Sequence, residues 1–469
     1  MIFSSFEFIL FFFIFFLIHA LIPNKYRIAA LLVANAIFYC FWKIEYLWLP
    51  FLLVAVAHAG LGWVLLVSDE RRKYRLFAVI CLLLLPLTTF KYANFFYQDV
   101  IGLFLPGAAQ IMSGRIPLGI SFITFTLIAY VVDVATGKFQ PKPGALTVST
   151  YTLFFPLIAA GPIMRPGNLV PQFLRYRFVK TWFWLGLLVF SIGLVKKVVF
   201  ADQLALIVDP VYAAPYDPSL SLLDYWLAFY GFSAQIYCDF SGYTDMAIGL
   251  AFMLGIRFPI NFDRPYLSHS IAEFWRRWHM TLSFWIRDYI YIPLGGNRRG
   301  KTRQLVNLLT AMGLAGLWHG ASWTFILWGL FHGIGIASTH MTRGFTRIVY
   351  FLGLFPRWLK IIFAFHLISL GWVLFRAWDL YTFAGVIQGL AGRHGATIGE
   401  NSWTAAALPI SLIIVLLALH PLDTLPRMRL VAMKLKRKPI IFATVIIGLW
   451  LLAITMGIDS SAEFIYFDF

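Results

Sequence analysis

Residues 305–338 read LVNLLTAMGLAGLWHGASWTFILWGLFHGIGIAS, 34 positions without a single Lys, Arg, Asp or Glu. A straight helix of that length measures ~50 Å, while the hydrocarbon core of a bilayer is ~30 Å thick. The stretch must therefore tilt strongly, break or turn back. Gly316, Gly320 and Ser322 are the natural places for a break, and His319 stands among them. Counted from Arg303, a helix carries His319 ~24 Å into the membrane. A charge is costly at that depth, so a neutral imidazole is expected, which is the form a general base needs. A hydrogen-bonded packing histidine is the plainer alternative.

The rest of the 469-residue chain agrees with a membrane setting. Apolar residues make up 60% and charged residues 13%, about half the charge of a soluble protein. Disorder is excluded by this much apolar and aromatic material. A disulfide scaffold is excluded by three cysteines in the whole chain. Cys40, Cys81 and Cys238 have no metal-like spacing and lie in or beside apolar runs, so packing is their expected role and no metal site is expected. The expected fold is all-α: one polytopic integral membrane domain over 1–469, without internal repeats or long linkers.

A span needs ~20 mostly apolar residues. Candidates are 2–22, 28–42, 46–67, 76–90, 117–134, 182–200, 222–237, 305–317, 322–338, 359–375, 405–419 and 440–456. The first is too long and aromatic for a signal-peptide core and is read as a retained helix. The pieces 95–105, 151–160, 244–254 and 381–390 are too short to cross and read as re-entrant or interfacial helices. About ten to twelve transmembrane helices are expected. Lys and Arg collect in cytoplasmic loops. The clusters after 22 and 67, with Arg165/Arg175/Arg177/Lys180, Arg298 to Arg303 and Arg427 to Lys438, place the N-terminus outside. The tail carries Asp459, Glu463 and Asp468 and no base, so it is also placed outside. The net charge of +17 is thus mostly topology. The bases are scattered over short loops, which argues against a nucleic-acid partner.

Polar residues in apolar surroundings mark candidate sites. Residues 274–289 separate, at 100° per residue, into an aromatic stripe (Trp275, Trp278, Leu282, Trp285, Tyr289) and a charged side (Glu273, Arg276, Arg277, Ser283, Arg287, Asp288). His279 lies at the boundary. Such a helix lines a water-filled cavity or lies at the interface. The following loop, with Gly295, Gly296, Asn297 and Arg298, is either a plain positive-inside turn or a holder for a phosphorylated donor. It matches no Walker or dinucleotide fingerprint. In 235–245, Asp239 and Asp245 would not share a helix face, and Ser241-Gly242 suggests a break with a helix start near Ser241. Residues 160–166 read as another break, with Arg165 at its mouth. His332 and His366 are expected to be packing histidines.

Several strings together resemble the membrane-bound O-acyltransferase family, in its alginate O-acetyltransferase-like bacterial branch. They are Glu273-Phe274-Trp275-Arg276-Arg277-Trp278-His279 with Leu282-Ser283, and Arg287-Asp288-Tyr289 through Gly295-Gly296-Asn297-Arg298. Gly316-Leu317-Trp318-His319-Gly320-Ala321, Trp328-Gly329 and His332-Gly333 follow. Asp239-Phe240-Ser241-Gly242-Tyr243-Thr244-Asp245 matches upstream, as do Ile2 to Ser5 and Phe464 to Phe469 at the two ends. The similarity is densest over 235–333. It implies helices around a central channel and acyl transfer to a hydroxyl. It also implies functional histidines at His279 and His319, with His319 the principal catalytic one.

The resemblance implies acetyl-CoA or another acyl thioester as donor, with no bound cofactor. It implies a bacterial inner-membrane location. The acetyl group would pass to an extracytoplasmic acetyltransferase- or esterase-like partner, or directly to a polysaccharide handled by export machinery. Trp275, Arg276, Arg277, Ser283, Trp318 and the loop from Gly295 to Arg298 are the expected donor-binding residues. Two rivals stay open: D-alanyl or peptidoglycan acyl transfer by the same fold, and a transporter or flippase, which also uses broken helices and buried polar groups.

Overall fold

A computed structural model describes residues 1–105, 116–175, 178–341, 355–393, 402–457 and 464–465. Arg177, Asp459, Glu463, Asp468 and the string from Tyr466 to Phe469 lie outside the described residues. Among those described, the secondary structure is helical throughout. Five helices among the described residues are long and apolar enough to cross a membrane: Ile44–Leu65, Asp69–Tyr92, Lys180–Ala213, Arg357–Arg376 and Pro439–Met456. A pair bent by 83°, Ala406–Leu422 and Leu425–Leu435, would make a sixth. Within Pro439–Met456 only 11% of the apolar window is buried, and Ile440, Ile447 and Ile454 face outward. Apolar surface of that extent suits lipid and not water. Other expected spans are helical but shorter, such as Phe6–Leu21, Arg27–Cys40 and Ile120–Ala135.

The chain forms two compact units. The first comprises Met1–Phe190 and Tyr243–Pro259, the second Ser191–Gly242 and Ile260–Phe469. In the first, Phe8, Phe38 and Phe155 pack with ring centroids 5.6–6.1 Å apart. Asn35 is wholly buried. Its amide N–H donates to the Thr150 carbonyl (3.3 Å), and its carbonyl accepts from the Phe155 N–H (3.0 Å). A buried polar side chain thus answers backbone groups left open where the helix Ala145–Leu153 ends. The expected break at 160–166 is present: residues 161–165 are non-helical, and Arg165 caps the helix Pro166–Leu174.

Two expectations are corrected. There is no break at Ser241-Gly242, and 244–254 is no separate piece, because Leu222–Met253 is one continuous helix of 32 residues. Gly242 serves close packing instead. A Cβ there would stand 2.8 Å from the Gly193 carbonyl oxygen. Nor is 274–289 a single amphipathic helix. The short helix Ile271–Phe274 is capped by Ser270, turns and a bend follow over 275–279, and helix resumes only at Met280–Ile286. Between them His279 has φ +41°, the left-handed region that costs a side-chain-bearing residue energy.

The opening stretch folds as its length demands. Helix Gly300–His319 ends, Gly320 is extended, and helix Trp323–Met341 returns against the first. Small residues let the backbones touch. A Cβ on Gly316 would lie 2.1 Å from the Phe325 carbonyl oxygen, and one on Gly329 2.2 Å from that of Met312. Gly313, in the same helix, has its nearest neighbour at 3.7 Å. Gly316→Val and Gly329→Val should therefore cost more than the ~1–3 kcal/mol of ordinary overpacking. They should sharply reduce the yield of monodisperse detergent-solubilised protein, while Gly313→Ala stays near wild type by size-exclusion chromatography.

Candidate active site

The candidate site is built within the second unit by two structures: the kinked turn at 275–281 and the tip of the hairpin. Asn261 makes the turn possible. Its backbone carbonyl accepts from the Met280 N–H (3.0 Å). Its side-chain oxygen accepts from the Thr281 N–H (3.1 Å) and hydroxyl (2.9 Å). These are the first N–H groups of the helix Met280–Ile286, which no intrahelical partner serves. Asp263 N–H to the Arg277 carbonyl (2.9 Å) continues the same pairing.

The Asn261 oxygen also stands 3.2 Å from His279 Nδ1. That oxygen can only accept, so the hydrogen bond requires Nδ1 to carry the proton. Nε2 is then the lone-pair nitrogen, and it has no hydrogen-bond partner among the described residues. His279 is fully buried. Burial pushes its imidazole down to about 3, so it is neutral at any ordinary pH. Its ring meets Phe240 edge-on at 4.7 Å.

His319 is the last residue of its helix and is 2% exposed. Trp318, Trp328 and Phe375 surround its ring at 4.8, 5.0 and 5.1 Å. The Trp318 ring is also 6.1 Å from His279, so one indole lies against both histidines. Trp275 joins through Trp328 at 5.6 Å. The structure thus gathers His279, His319, Trp318 and Trp275 into one buried cluster of rings.

Other expected residues are placed differently. Arg277 is bound to Glu273 through two nitrogens (2.8 and 3.1 Å) and to the Asp263 carbonyl (3.3 Å). Burial works against the Glu273 carboxylate, but the His269 N–H and the Arg277 guanidinium hold it below the usual carboxylate range. This pair braces the turn. Arg276 is exposed, and the Ser283 hydroxyl donates to the Trp275 carbonyl (3.2 Å).

The loop at 295–298 opens the helix whose other end is His319. Gly295 and Gly296 have φ +112° and +56°, and Asn307 donates to the Gly296 carbonyl (3.0 Å). Twenty residues separate loop from histidine, about 30 Å along the axis. Arg298, Arg299, Lys301 and Arg303 crowd the positive end of that helix, where cations are disfavoured and an anion is welcome.

Asn261 was missed as a member of the site. His332 was expected to pack, and it is fully buried with its ring 5.0 Å from Trp328 and 5.5 Å from Trp275. Asn261 gave no local signal, being 18 positions from its partner. His366 lies apart, bonded to the Tyr230 hydroxyl (2.9 Å) and the Ile362 carbonyl.

Residues 18–377 match the membrane-bound O-acyltransferase family. The chain is 40% identical over 392 residues to the "Probable alginate O-acetylase AlgI" of Azotobacter vinelandii, covering 81% of this chain and 76% of that protein. It is 36% identical over 414 residues to the "Peptidoglycan O-acetyltransferase" of Helicobacter pylori, covering 80% and 76%. It is 30% identical over 277 residues to the "Teichoic acid D-alanyltransferase" of Bacillus subtilis, covering 55% and 68%. The extent of the family match, together with these identities, shows that this membrane protein belongs to the membrane-bound O-acyltransferase family and is an O-acyltransferase.

Proposed function

We propose that the protein O-acetylates an exported polysaccharide. It would take the acetyl group from a cytoplasmic thioester, acetyl-CoA or a similar donor, at the inner membrane. It would pass the group to a sugar hydroxyl directly or through the serine of an extracytoplasmic acetyltransferase-like partner working with the export machinery. The observation that carries this reading is the pair of buried histidines sharing the Trp318 ring. Ten to twelve crossings around a channel, with both termini extracytoplasmic, belong to the same proposal. The names of the alginate and peptidoglycan relatives support an acetyl cargo.

In this reading His319 takes the proton of the attacking hydroxyl. The hydroxyl oxygen forms a C–O bond to the thioester carbonyl carbon, the C–S bond breaks, and the proton passes from His319 to the departing thiolate. His279 presents a lone pair at Nε2. It is therefore suited to accept a hydrogen bond from a second donor of the acceptor molecule, such as a neighbouring sugar hydroxyl, and unsuited to donate one to an oxyanion. Trp275 and Trp318 would wall the acyl group. The basic loop from Gly295 to Arg298 would hold the donor's phosphates. It lies about 30 Å along the helix from His319, so it could grip only the far end of a long donor. Arg277, already paired with Glu273, would contribute by fixing the turn.

The peptidoglycan relative favours a second reading, in which the acetyl acceptor is a cell-wall glycan. Mass spectrometry of the exported glycan and of the cell wall separates the two.

Labelled acetyl-CoA supplied to inside-out vesicles tests the mechanism. His319→Ala should lower transfer by about 10²–10⁴-fold, the usual worth of a general base, with membrane insertion intact. Transfer at the wild-type rate in that variant would falsify the proposal. Asn261→Ala removes the acceptor that fixes the His279 tautomer. It should lower transfer about tenfold or more, since misplacement near 1 Å can cost 10²-fold. Thermal unfolding followed by tryptophan fluorescence would report the accompanying loss of stability.

A further inference from the structure

The second unit holds a contact that none of the foregoing chemistry uses. Phe464 and Ile465 grip two consecutive residues of the helix Leu222–Met253. The Ile465 N–H donates to Asp239 Oδ2 at 2.9 Å. The Phe464 ring lies 6.1 Å from that of Phe240 at 63°. Three of the four side chains are buried: Phe464 is 2% exposed, Asp239 1% and Phe240 0%.

Each gripped residue leads elsewhere. The other oxygen of Asp239 pairs with Lys197 Nζ at 2.8 Å, and Lys197 also pairs with Asp202 at 2.8 Å. A buried charge without its partners is costly, so this carboxylate is a fixed anchor for the Ile465 N–H. Phe240 leads to the site. Its ring is in contact with both Phe464 and His279, the latter edge-on at 4.7 Å and 88°. Phe262 lies 5.0 Å away on the same ring. Consecutive helical residues point about 100° apart, so holding both 239 and 240 fixes the helix in rotation as well as depth.

We propose that Phe464, seated by the Ile465–Asp239 hydrogen bond, is a positioning residue for acyl transfer: through Phe240 it holds the imidazole of His279 in its working orientation. The inference rests on the functional reading of His279 given above. His279 then has two supports, the Asn261 oxygen on Nδ1 and the Phe240 ring against its edge, and the second is set by a segment more than 180 residues further along the chain.

The test uses the full chain in inside-out vesicles with labelled acetyl-CoA, comparing wild type, His279→Ala, Phe464→Ala, Phe464→Leu, Ile465→Pro, Phe240→Ala and the Phe240/Phe464 double alanine variant. Phe464→Ala should lower kcat by about 10- to 100-fold, as small misplacements do, with KM for the thioester within about twofold. Phe464→Leu should restore most of the rate. The double variant should be no slower than Phe240→Ala alone, because residues acting through one another do not add. If Phe464→Ala fails to insert, Ile465→Pro decides: it deletes one N–H donor, and a drop of about tenfold or more is expected from losing a hydrogen bond to a charged carboxylate. A kcat within twofold of wild type for Phe464→Ala, or for Ile465→Pro in its place, beside an inactive His279→Ala, overturns the positioning role alone. Penalties that multiply in the double variant overturn it equally. Full activity in His279→Ala instead brings down the functional reading of that histidine, and the role of Phe464 with it.

Discussion

A polar group inside an apolar body must be answered by another polar group, and this constraint shapes the second unit of the protein. The Asn261 oxygen accepts from the Thr281 N–H and hydroxyl and stands against the His279 ring. One side chain thereby stabilises a left-handed turn, starts a helix and selects a tautomer. Asp239 does comparable work, joining Lys197 to the Ile465 N–H. In the first unit Asn35 answers the Thr150 carbonyl and the Phe155 N–H. Hydrophobic burial says little about where such groups go, since lipid and core are equally apolar. The polar pairs supply the specificity.

The same constraint explains how the candidate site is divided. Arg277, which its charge suggested for donor binding, is instead half-buried against Glu273 and the Asp263 carbonyl. Arg276 stays exposed beside the turn, and the cations of the glycine loop, around Arg298 to Arg303, stay exposed at the far end of the hairpin's first helix. The two histidines themselves are surrounded by neutral rings, with a helix of about 30 Å between His319 and the basic loop.

Much of the fold was legible because the relevant signals are local. Thirty-four residues without a charge cannot run straight through a bilayer, and the turn falls at Gly320, one of the glycines that marked it. The same reasoning misled at Ser241-Gly242. A glycine marks either a break or a close approach, and the Gly193 carbonyl that makes it an approach lies 49 positions away. The aromatic stripe of 274–289 was real in burial, since Trp275, Trp278, Leu282 and Trp285 are all interior, but not in helical continuity. Asn261, which permits the kink, stands outside any window in which periodicity is read. Of the site, His279, His319, Trp275 and Trp318 could be named from sequence. Asn261 and Phe240 needed coordinates, because their roles depend on what faces them.

Contact between backbones at Gly316 and Gly329 leaves the two arms of the hairpin no slack. Sliding one past the other would drive carbonyl oxygens into α-carbons, so the pair can shift only as a rigid body. The backbone that carries the imidazole at its apex therefore travels only with both arms together, so the glycine contacts set where His319 stands relative to the rest of the hairpin.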